Sequence, residues 1–374
     1  MKINLTSLDK KMTSILRLIG PLAQKQKSSA YAVGGVVRDV LLKRRNLDCD
    51  VVVEGDGIRL AEVFAKRMKG YVTKYPFFKT ATVVLPDGLA IDFATARREI
   101  YTHPGALPEV FRSDINDDLF RRDFTVNAMA LSIMPDTFGE LVDPYGGWDD
   151  LKCKKIRVLH DVSFLDDPTR MLRAVRFEQR LKFNIEPETL RLLQEALNAK
   201  AICFVKPQRY FGEVKKVLQE RDVSACLGRL QELKFFYVPA LNLEYNQRVA
   251  HTLGAIQQAI GRYGVKGLEG IEPWLIVLMA IHDESRADDL EFALGQLGVS
   301  RRDKEKMIAS LSFPKVLAKL SYEGLTPAKA YQLLKPYALD VLIFFRSKAN
   351  ALAKQRIDRF VAKSKQEQLK LANS

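Results

Sequence analysis

Apolar positions along the chain follow two periods, and the change from one to the other divides the sequence. Alternating or continuous apolar runs in "SAYAVGG", "LDCDVVVEG", "KTATVVL" and "LAIDFATARRE" predict β-strands. Helical spacing predicts helices over residues 4–27 and in "VVRDVLLKRR" and "GIRLAEVFAKRMKG". Residues 101–118, with two prolines, predict a polar loop. Beyond "DPYGGWDD" the pattern indicates helices only, so we expect a mixed domain over 1–150 followed by an all-α region.

The composition is strongly basic, which favours a polyanionic partner. The 374 residues include 59 Lys+Arg against 45 Asp+Glu, for a net charge of +14. Nucleic acid or a phosphate-rich substrate is the partner class that suits this charge. The sequence lacks an apolar run of membrane-spanning length and a signal peptide, so we expect a cytoplasmic protein without a membrane partner. The four isolated cysteines predict reduced thiols rather than a zinc site, and no protein partner is implied.

A glycine pair and two aspartates form the first chemical constellation. Gly34 and Gly35 end a predicted strand and open a helix, whose free N–H groups and positive dipole end suit a phosphate. Arg38, one turn into that helix, adds a positive charge. Asp48 and Asp50 are two apart on the next predicted strand, so both side chains point to one face. Paired carboxylates favour a divalent cation, and Mg²⁺ combines such ligands with substrate phosphates.

Two further aspartates lie near these elements. We expect Asp39 to orient Arg38 or a backbone group rather than to bind metal. Asp92, on the strand predicted in "LAIDFATA", faces away from its apolar neighbours. It is either a third carboxylate that helps to deprotonate an attacking hydroxyl or an acceptor for the arginines that follow it.

The segment "FRRDFTVNAMA" forms a second constellation. Arg121 and Arg122 are suited to bidentate contacts with triphosphate oxygens. Asp123 and Asn127 are four apart, so a helix would place them on one face, where they hold a ribose or fix an arginine. A charged first helical turn without a ligand is the alternative interpretation.

The run "FLDDPTRMLRAVRF" predicts a helix with a charged face formed by Asp167, Arg170 and Arg173, with Arg176 following. A carboxylate accepts from an exocyclic amino group, and an arginine donates to a ring nitrogen. Cytosine and adenine both present that pair of groups, whereas guanine and uracil present the reverse. One Asp/Arg pair therefore selects C and A without a template. The alternative is a row of ion pairs worth a few tenths of a kcal/mol.

Five segments together resemble the class II tRNA nucleotidyltransferase and bacterial poly(A) polymerase superfamily. They are "GGVVRD…LDCD", "RRDFTVNAMA", "DPYGGWDDL", "DDPTRMLRAVRF" and, more loosely, "PQRYFGEVKKVL", and they occur in the family's order over roughly residues 30–220. The resemblance implies an α+β protein with a polymerase-β-like nucleotidyltransferase head at 1–150. An all-α neck at 151–220, a body at 221–300 and a tRNA-binding tail at 301–374 would follow.

The resemblance also implies an activity, which is Mg²⁺-dependent transfer of AMP or CMP from ATP or CTP onto the 3′ hydroxyl of tRNA, with release of pyrophosphate. Asp48 and Asp50 would be the catalytic metal ligands. Asp167 and Arg170 would read the base. The nucleotide's phosphates and sugar would contact the remaining residues of the family motifs: Gly34, Gly35, Arg38 and Arg122, with Arg173 and Arg176 in support.

Two departures from the family pattern bear on this assignment. The family usually has Glu-Asp where this chain has Asp166-Asp167, which shortens the first carboxylate. The segments most resemble the subgroup that adds only the terminal adenosine, often fused to extra domains that this chain lacks, so it is either a stand-alone relative or a trimmed piece. The C-terminal "FRSKANALAKQRIDRFVAKSKQEQLKLANS" predicts one basic amphipathic helix that faces either RNA phosphates or solvent.

Three other functions compete with tRNA end-building. A poly(A) polymerase shares the head, although its "GRRFR"-like stretch is replaced here by "IDFATARREIY". A non-catalytic RNA-binding relative is the second, and the intact Asp48 and Asp50 argue against it. A metal phosphohydrolase is the third, prompted by His251 and the dipeptide His282-Asp283, although the ligand set is incomplete.

Overall fold

A computed structural model describes residues 1–3, 8–44, 49–235, 241, 243–263 and 271–372, with side chains as far as residue 364. The chain divides into two compact units, Met1–Phe204 and Val205–Ser374. Among the residues described, no helix has the combination of length and apolar character needed to cross a membrane. The four-part division into head, neck, body and tail stays a prediction.

The first unit is built on a mixed sheet. Its strands are β1 (Ser29–Val33), β2 (Cys49–Glu54), β3 (Tyr71–Tyr75), β4 (Thr80–Val84), β5 (Ala90–Thr95), β6 (Arg97–Ile100), β7 (Glu109–Arg112), β8 (Ala130–Ser132), β9 (Leu141–Val142), β10 (Lys155–Ile156) and β11 (Asn184–Ile185). Seven of them form one sheet in the order β3-β4-β5-β2-β1-β8-β9. Within it β2 and β5 run parallel and the other neighbours run antiparallel.

Helices of the first unit cover this sheet unequally. They are α1 (Lys10–Lys25), α2 (Gly35–Leu41), α3 (Gly57–Met68), α4 (Ile115–Phe120), α5 (Gly147–Lys152), α6 (Ser163–Asp166), α7 (Arg170–Leu181) and α8 (Pro187–Asn198), with short 3₁₀ turns at Pro76–Phe78, Thr125–Asn127 and Ala201–Phe204. Leu60, Ala61 and Phe64 recur at helical spacing, so α3 buries one apolar stripe, and its Phe64 ring lies 5.6 Å from Phe93 of β5. On the opposite face α4 covers only the part of the sheet around Val52.

The second unit is helical throughout its described residues. Its helices are α9 (Pro207–Leu218), α10 (Val223–Glu232), α11 (Gln247–Tyr263), α12 (Pro273–Ile281), α13 (Ala287–Gln296), α14 (Arg301–Ser310), α15 (Phe313–Leu320), α16 (Pro327–Leu334), α17 (Leu339–Lys348) and α18 (Ala351–Ala372). The apolar helix α12 is buried from its second residue to its last, which makes it the centre of this unit's core. The predicted α+β class is therefore confirmed.

Three local predictions were wrong, and one strand was not predicted. The predicted loop at 101–118 contains strand β7, which pairs with β6, and the start of α4. Strand β3 was missed because its side chains are largely exposed and show no apolar alternation. Strands β10 and β11 pair in parallel beyond residue 150, where only helices were expected. The basic C-terminal helix is two helices, because Ala349 is extended and the Asn350 side chain accepts from Ala353 N at 2.9 Å and so caps α18.

Candidate active site

Two carboxylates stand side by side on the open face of the sheet. Asp50 of β2 pairs in register with Asp92 of β5, and both are exposed while their strand neighbours are buried. Adjacent strands lie about 4.8 Å apart, so the two side chains project together. Burial raises the pKa of the Cys49 thiol to about 12, and the charges of Asp50 and Asp92 add to this effect. Asp48, the other predicted metal ligand, lies outside the described residues.

The position of Asp92 bears on the two interpretations of that residue. Thr82 of β4, directly opposite in the sheet, donates its hydroxyl to Asp92 Oδ1 at 2.5 Å. The arginines that follow have other contacts: Arg97 donates to Glu99, and Arg98 lies over the Phe111 ring. This arrangement favours the third-carboxylate interpretation.

A close backbone approach at Gly34 brings an arginine against the start of α2. Gly34 has φ 71°, and a Cβ at this position would lie 2.7 Å from Arg122 Nη1. A larger residue would therefore be strained and would displace the guanidinium. Arg122 is held by Asp118 Oδ2 at 3.0 Å, and its buried Nε has no hydrogen-bond acceptor among the described residues.

A hydrogen-bonded chain links helix α2 to helix α7. Arg38 Nε and Nη2 donate to the Asp39 carboxylate at 3.0 and 3.2 Å, which confirms the orienting role expected for Asp39. Arg38 Nη1 donates to Asn127 Oδ1 at 2.7 Å, and Asn127 Nδ2 donates to Asp123 Oδ1 at 3.0 Å. Asp123 Oδ2 accepts from Arg173 Nε at 3.0 Å and Nη2 at 2.5 Å.

The Asp123–Asn127 pair therefore holds Arg38 and Arg173 in place, which was one of the two interpretations predicted for it. Their contact arises from the Thr125–Asn127 3₁₀ turn and not from the α-helix that was predicted. Burial alone would raise the pKa of Asp123, but Arg173 and the Asn127 amide outweigh it and lower the pKa to about 2. The carboxylate is thus ionised at neutral pH and anchors α7.

Asp118 was missed by the sequence reasoning, although it organises both adjacent arginines. It is fully buried and accepts from Arg121 at 2.7 Å and from Arg122 at 3.0 Å. Burial raises the pKa of Asp118, but the two guanidinium charges exceed that effect and lower it below the ordinary range. The spacing of three and four residues in "DLFRR" carries this signal, because α4 places them on one face.

The predicted base-reading residues are found on α7 and just before it. Helix α7 begins at Arg170, and Asp167 precedes it in extended conformation, so the prediction of one helical face shared by both was wrong. Asp167 Oδ1 accepts from the Thr169 amide and hydroxyl at 3.0 and 2.6 Å. Arg170 is buried and donates to Ser163 Oγ at 2.6 Å and to the carbonyl of Arg121 at 2.7 Å.

Three of the arginines predicted to bind the nucleotide lie around the ring of Phe177. The guanidinium carbons of Arg38, Arg173 and Arg176 lie 5.4, 5.7 and 4.9 Å from its ring centroid. Cation–π attraction is strongest at such distances when the groups are shielded from water. The structure thus concentrates positive charge on a rigid aromatic centre, which suits a polyphosphate.

The phosphohydrolase alternative finds no support in the second unit. His251 is exposed, whereas His282 and Asp283 are buried. Asp283 forms ion pairs with Arg248 and, at 2.5 Å, with Lys348. Burial, with the charge of Arg248, lowers the pKa of His282 to about 4. These are the contacts of a structural cluster.

Comparison with known proteins agrees with this geometry. The family model described as the poly A polymerase head domain matches residues 30–157. The A-adding tRNA nucleotidyltransferase of Geobacter sulfurreducens is 38% identical over 304 residues, which are 80% of this chain and 34% of the relative. The chain therefore spans about a third of the length of the first curated relatives that it matches.

Solved structures match over more of their length. A CCA-adding enzyme in complex with ATP superposes with a TM-score of 0.77 at 32% identity, over 96% of this chain and 84% of that one. The Thermotoga maritima CCA-adding enzyme complexed with tRNA gives a TM-score of 0.73 at 31% identity, over 96% and 84% of the two chains. By sequence, fold and length of match, this chain belongs to the tRNA nucleotidyltransferase and poly(A) polymerase family.

Proposed function

We propose that the chain is a template-independent tRNA nucleotidyltransferase, which adds AMP to the 3′ end of tRNA and releases pyrophosphate; the addition of CMP is the part of this activity that the CTP arm of the assay decides. The observation that carries this proposal is the pairing of Asp50 with Asp92 on the open sheet face. The same unit holds a glycine-opened helix and an arginine cluster, as transfer from a nucleoside triphosphate requires.

The residues of this unit divide the work of binding the triphosphate. Gly34 and Gly35 allow phosphates to approach the N–H groups of α2 closely. Arg122, whose Nε has no acceptor among the described residues, would donate to a phosphate oxygen. Arg38 and Arg173 already have carboxylate partners, so they supply positive potential and rigidity, with Arg176 beside them.

The donor set fits Mg²⁺. Asp50, exposed on the open face beside Asp92, offers hard oxygen ligands of the kind that Mg²⁺ prefers, and Asp48 would join it as the second catalytic ligand. When bound, the ion would lower the pKa of the attacking hydroxyl and neutralise charge on the leaving pyrophosphate. Asp92, oriented by Thr82, is placed to accept the proton of that hydroxyl.

Base selection is assigned to Asp167 and Arg170. Both side chains have internal partners in this structure, so reading a base requires them to exchange those bonds for bonds to cytosine or adenine. The helical second unit, with its exposed Arg359 and Lys363 on α18, would contact the tRNA backbone. Arg356 does not share that role, because it donates to the carbonyls of Leu320 and Tyr322. A cytoplasmic location completes the proposal.

A labelled-nucleotide assay tests the activity. The protein is incubated with Mg²⁺ and ATP or CTP, and with tRNA that ends before the tail, after one C or after two C residues. We expect AMP to be added to tRNA ending in CC, and the CTP arm shows whether C is also added. Absence of incorporation in every arm, with RNA still bound, would contradict the proposal and favour a binding protein.

Poly(A) synthesis is the second candidate, because the matching family model is described by the poly A polymerase head domain. It predicts many adenosines added to any RNA 3′ end. Addition of one adenosine to tRNA ending in CC, with none on an unstructured RNA, separates the two activities.

A further inference from the structure

The open face of the sheet continues from the carboxylates to a free edge. Antiparallel register places Thr82 opposite Asp92, and Thr73 of the edge strand β3 opposite Thr82. Side chains opposite one another in register share a face. Lys74, on the other face, reaches Glu62 of α3 at 2.8 Å, which confirms that α3 covers that other side.

Aromatic side chains mark the end of this open strip. Tyr71 and Tyr75 alternate with Val72 and Lys74, so they share the face of Thr73 and, across the sheet, of Asp92. Tyr71 is 72% exposed and Tyr75 is 47% exposed. In the 3₁₀ turn that follows, Phe77 is 79% exposed and packs edge-on against Phe78. Four aromatic rings therefore stand in one short segment at the sheet edge.

The chemistry of this segment fits single-stranded RNA better than a protein partner. Residues 71–80, "YVTKYPFFKT", contain four aromatic and two lysine residues and no acidic residue. Between Asp92 and the edge, the strip consists of threonine, tyrosine, valine and alanine side chains, with no charge to repel a phosphate backbone. Exposed aromatic rings are the usual platform on which unpaired bases stack.

The distance also matches the reaction. Strand β3 lies two strand spacings from β5, about 10 Å from Asp92. An acceptor whose terminal hydroxyl meets the carboxylates would have the base or bases just before its end within reach of this edge. We propose that Tyr75 and Phe77, with Tyr71 beside them, form a stacking platform for the unpaired 3′-terminal bases of the RNA acceptor. This inference rests on the proposed function and adds the acceptor's position to it.

Steady-state kinetics of Tyr75→Ala and Phe77→Ala test the platform. Loss of one base–aromatic stack is expected to raise KM for tRNA ending in CC roughly tenfold, with little change in KM for ATP. Tyr75→Phe keeps the ring and should retain wild-type KM. Phe292→Ala, at a 68% exposed aromatic of α13, is the matched control for the same loss of surface and should also behave as wild type.

A second acceptor makes the test specific. For a blunt-ended RNA duplex, whose 3′ base is paired, the wild type and both alanine variants should bind equally well. If Tyr75→Ala and Phe77→Ala incorporate AMP as the wild type does, with unchanged KM for tRNA, the platform is overturned and the proposed function stands. If size-exclusion chromatography shows an oligomer for the wild type and a monomer for both alanine variants, with unchanged KM, the segment is an interface between copies and the platform is overturned. If the wild type itself incorporates no nucleotide, the proposed function is overturned.

Discussion

Each unit of the protein buries an aspartate between two cations, yet the two clusters have different surroundings. In the first unit Asp118 holds Arg121 and Arg122, and Arg122 continues to the backbone of Gly34, where a helix opens. One of its donors has no acceptor among the described residues. The Nη1 of Arg122 lies beside Gly34, at the opening of α2.

In the second unit Asp283 is held by Arg248 of α11 and Lys348 of α17. His282 beside it bonds Ser285 Oγ at 3.1 Å, and its burial keeps it neutral near pH 7. These contacts tie three helices of the unit together. On our proposal the first cluster serves the nucleotide site and the second is a structural cross-link, and the difference lies in the glycine-opened helix beside which the first one lies.

The largest expected effect is on chemistry. Asp50→Asn removes a negative ligand from the open face and should lower kcat for AMP incorporation roughly 10³-fold, about 4 kcal/mol. Asp283→Asn makes the same substitution in the second unit and should leave kcat unchanged at a temperature where the variant is folded. Rapid-quench assays measure both. Equal losses in the two variants would contradict the distinction between the clusters.

The free energy of unfolding should fall when the buried aspartate of either unit is removed. Asp118→Ala and Asp283→Ala each leave two cations without their shared buried partner, which should cost about 3 kcal/mol of unfolding free energy. Urea unfolding, followed by a probe in each unit, measures the loss. Asp149→Ala, at an exposed position of α5, is the control and should stay within about 0.5 kcal/mol of wild type. A negligible change in either buried variant would show that its cluster is not structural.

The low pKa of Asp123 predicts an acid-dependent contribution to stability. The folded pKa of about 2 lies below the ordinary value of 3.8, so the stabilisation is present above pH 4 and is lost as pH falls through 2. The difference corresponds to about 2 kcal/mol. Unfolding of wild type and Asp123→Asn from pH 6 to 2 should therefore show a gap that narrows with acid. A constant gap over this range would mean that the carboxylate is not ionised in the fold.

The smallest expected effect is on nucleotide affinity, and it should differ between Arg122 and Arg248. Arg122→Lys keeps the charge but loses the guanidinium, with its Nη1 beside Gly34 and its Nε without an acceptor among the described residues, so KM for ATP should rise about tenfold, or 1.4 kcal/mol. Arg248→Lys makes the same change in the second unit and should leave KM for ATP as it is. Titration of initial rates with ATP measures both. A matching rise for Arg248→Lys would assign its cluster to the nucleotide site as well.

The sequence predicted those elements whose side chains alternate between core and solvent. Strands β2 and β5 and helix α3 follow their apolar patterns, and Asp92 faces as expected because Ile91 and Phe93 are buried. Strand β3 was not predicted because its short, largely exposed sequence does not alternate between apolar and polar positions. An edge strand of this kind is defined by its backbone pairing, which composition does not reveal.

At the site, spacing in the sequence predicted contacts between neighbouring residues but not the hydrogen bonds that join distant segments. The Asp123–Asn127 contact and the Asp39–Arg38 pair follow from short separations in sequence. The Asp123–Arg173 ion pair and the Arg170–Arg121 carbonyl bond join residues about 50 positions apart, so only the fold reveals them. The burial of Arg170 likewise depends on packing that no local pattern contains.

The most direct test of the account is the location of a divalent ion with a bound nucleotide. Crystals soaked with Mn²⁺ and a non-hydrolysable ATP analogue would show it by anomalous scattering. We predict a peak about 2.1 Å from a carboxylate oxygen of Asp50, with the triphosphate beside Gly34 and Arg122. A peak elsewhere, with Asp50 turned away from the nucleotide, would contradict the assignment of this face as the site of nucleotidyl transfer.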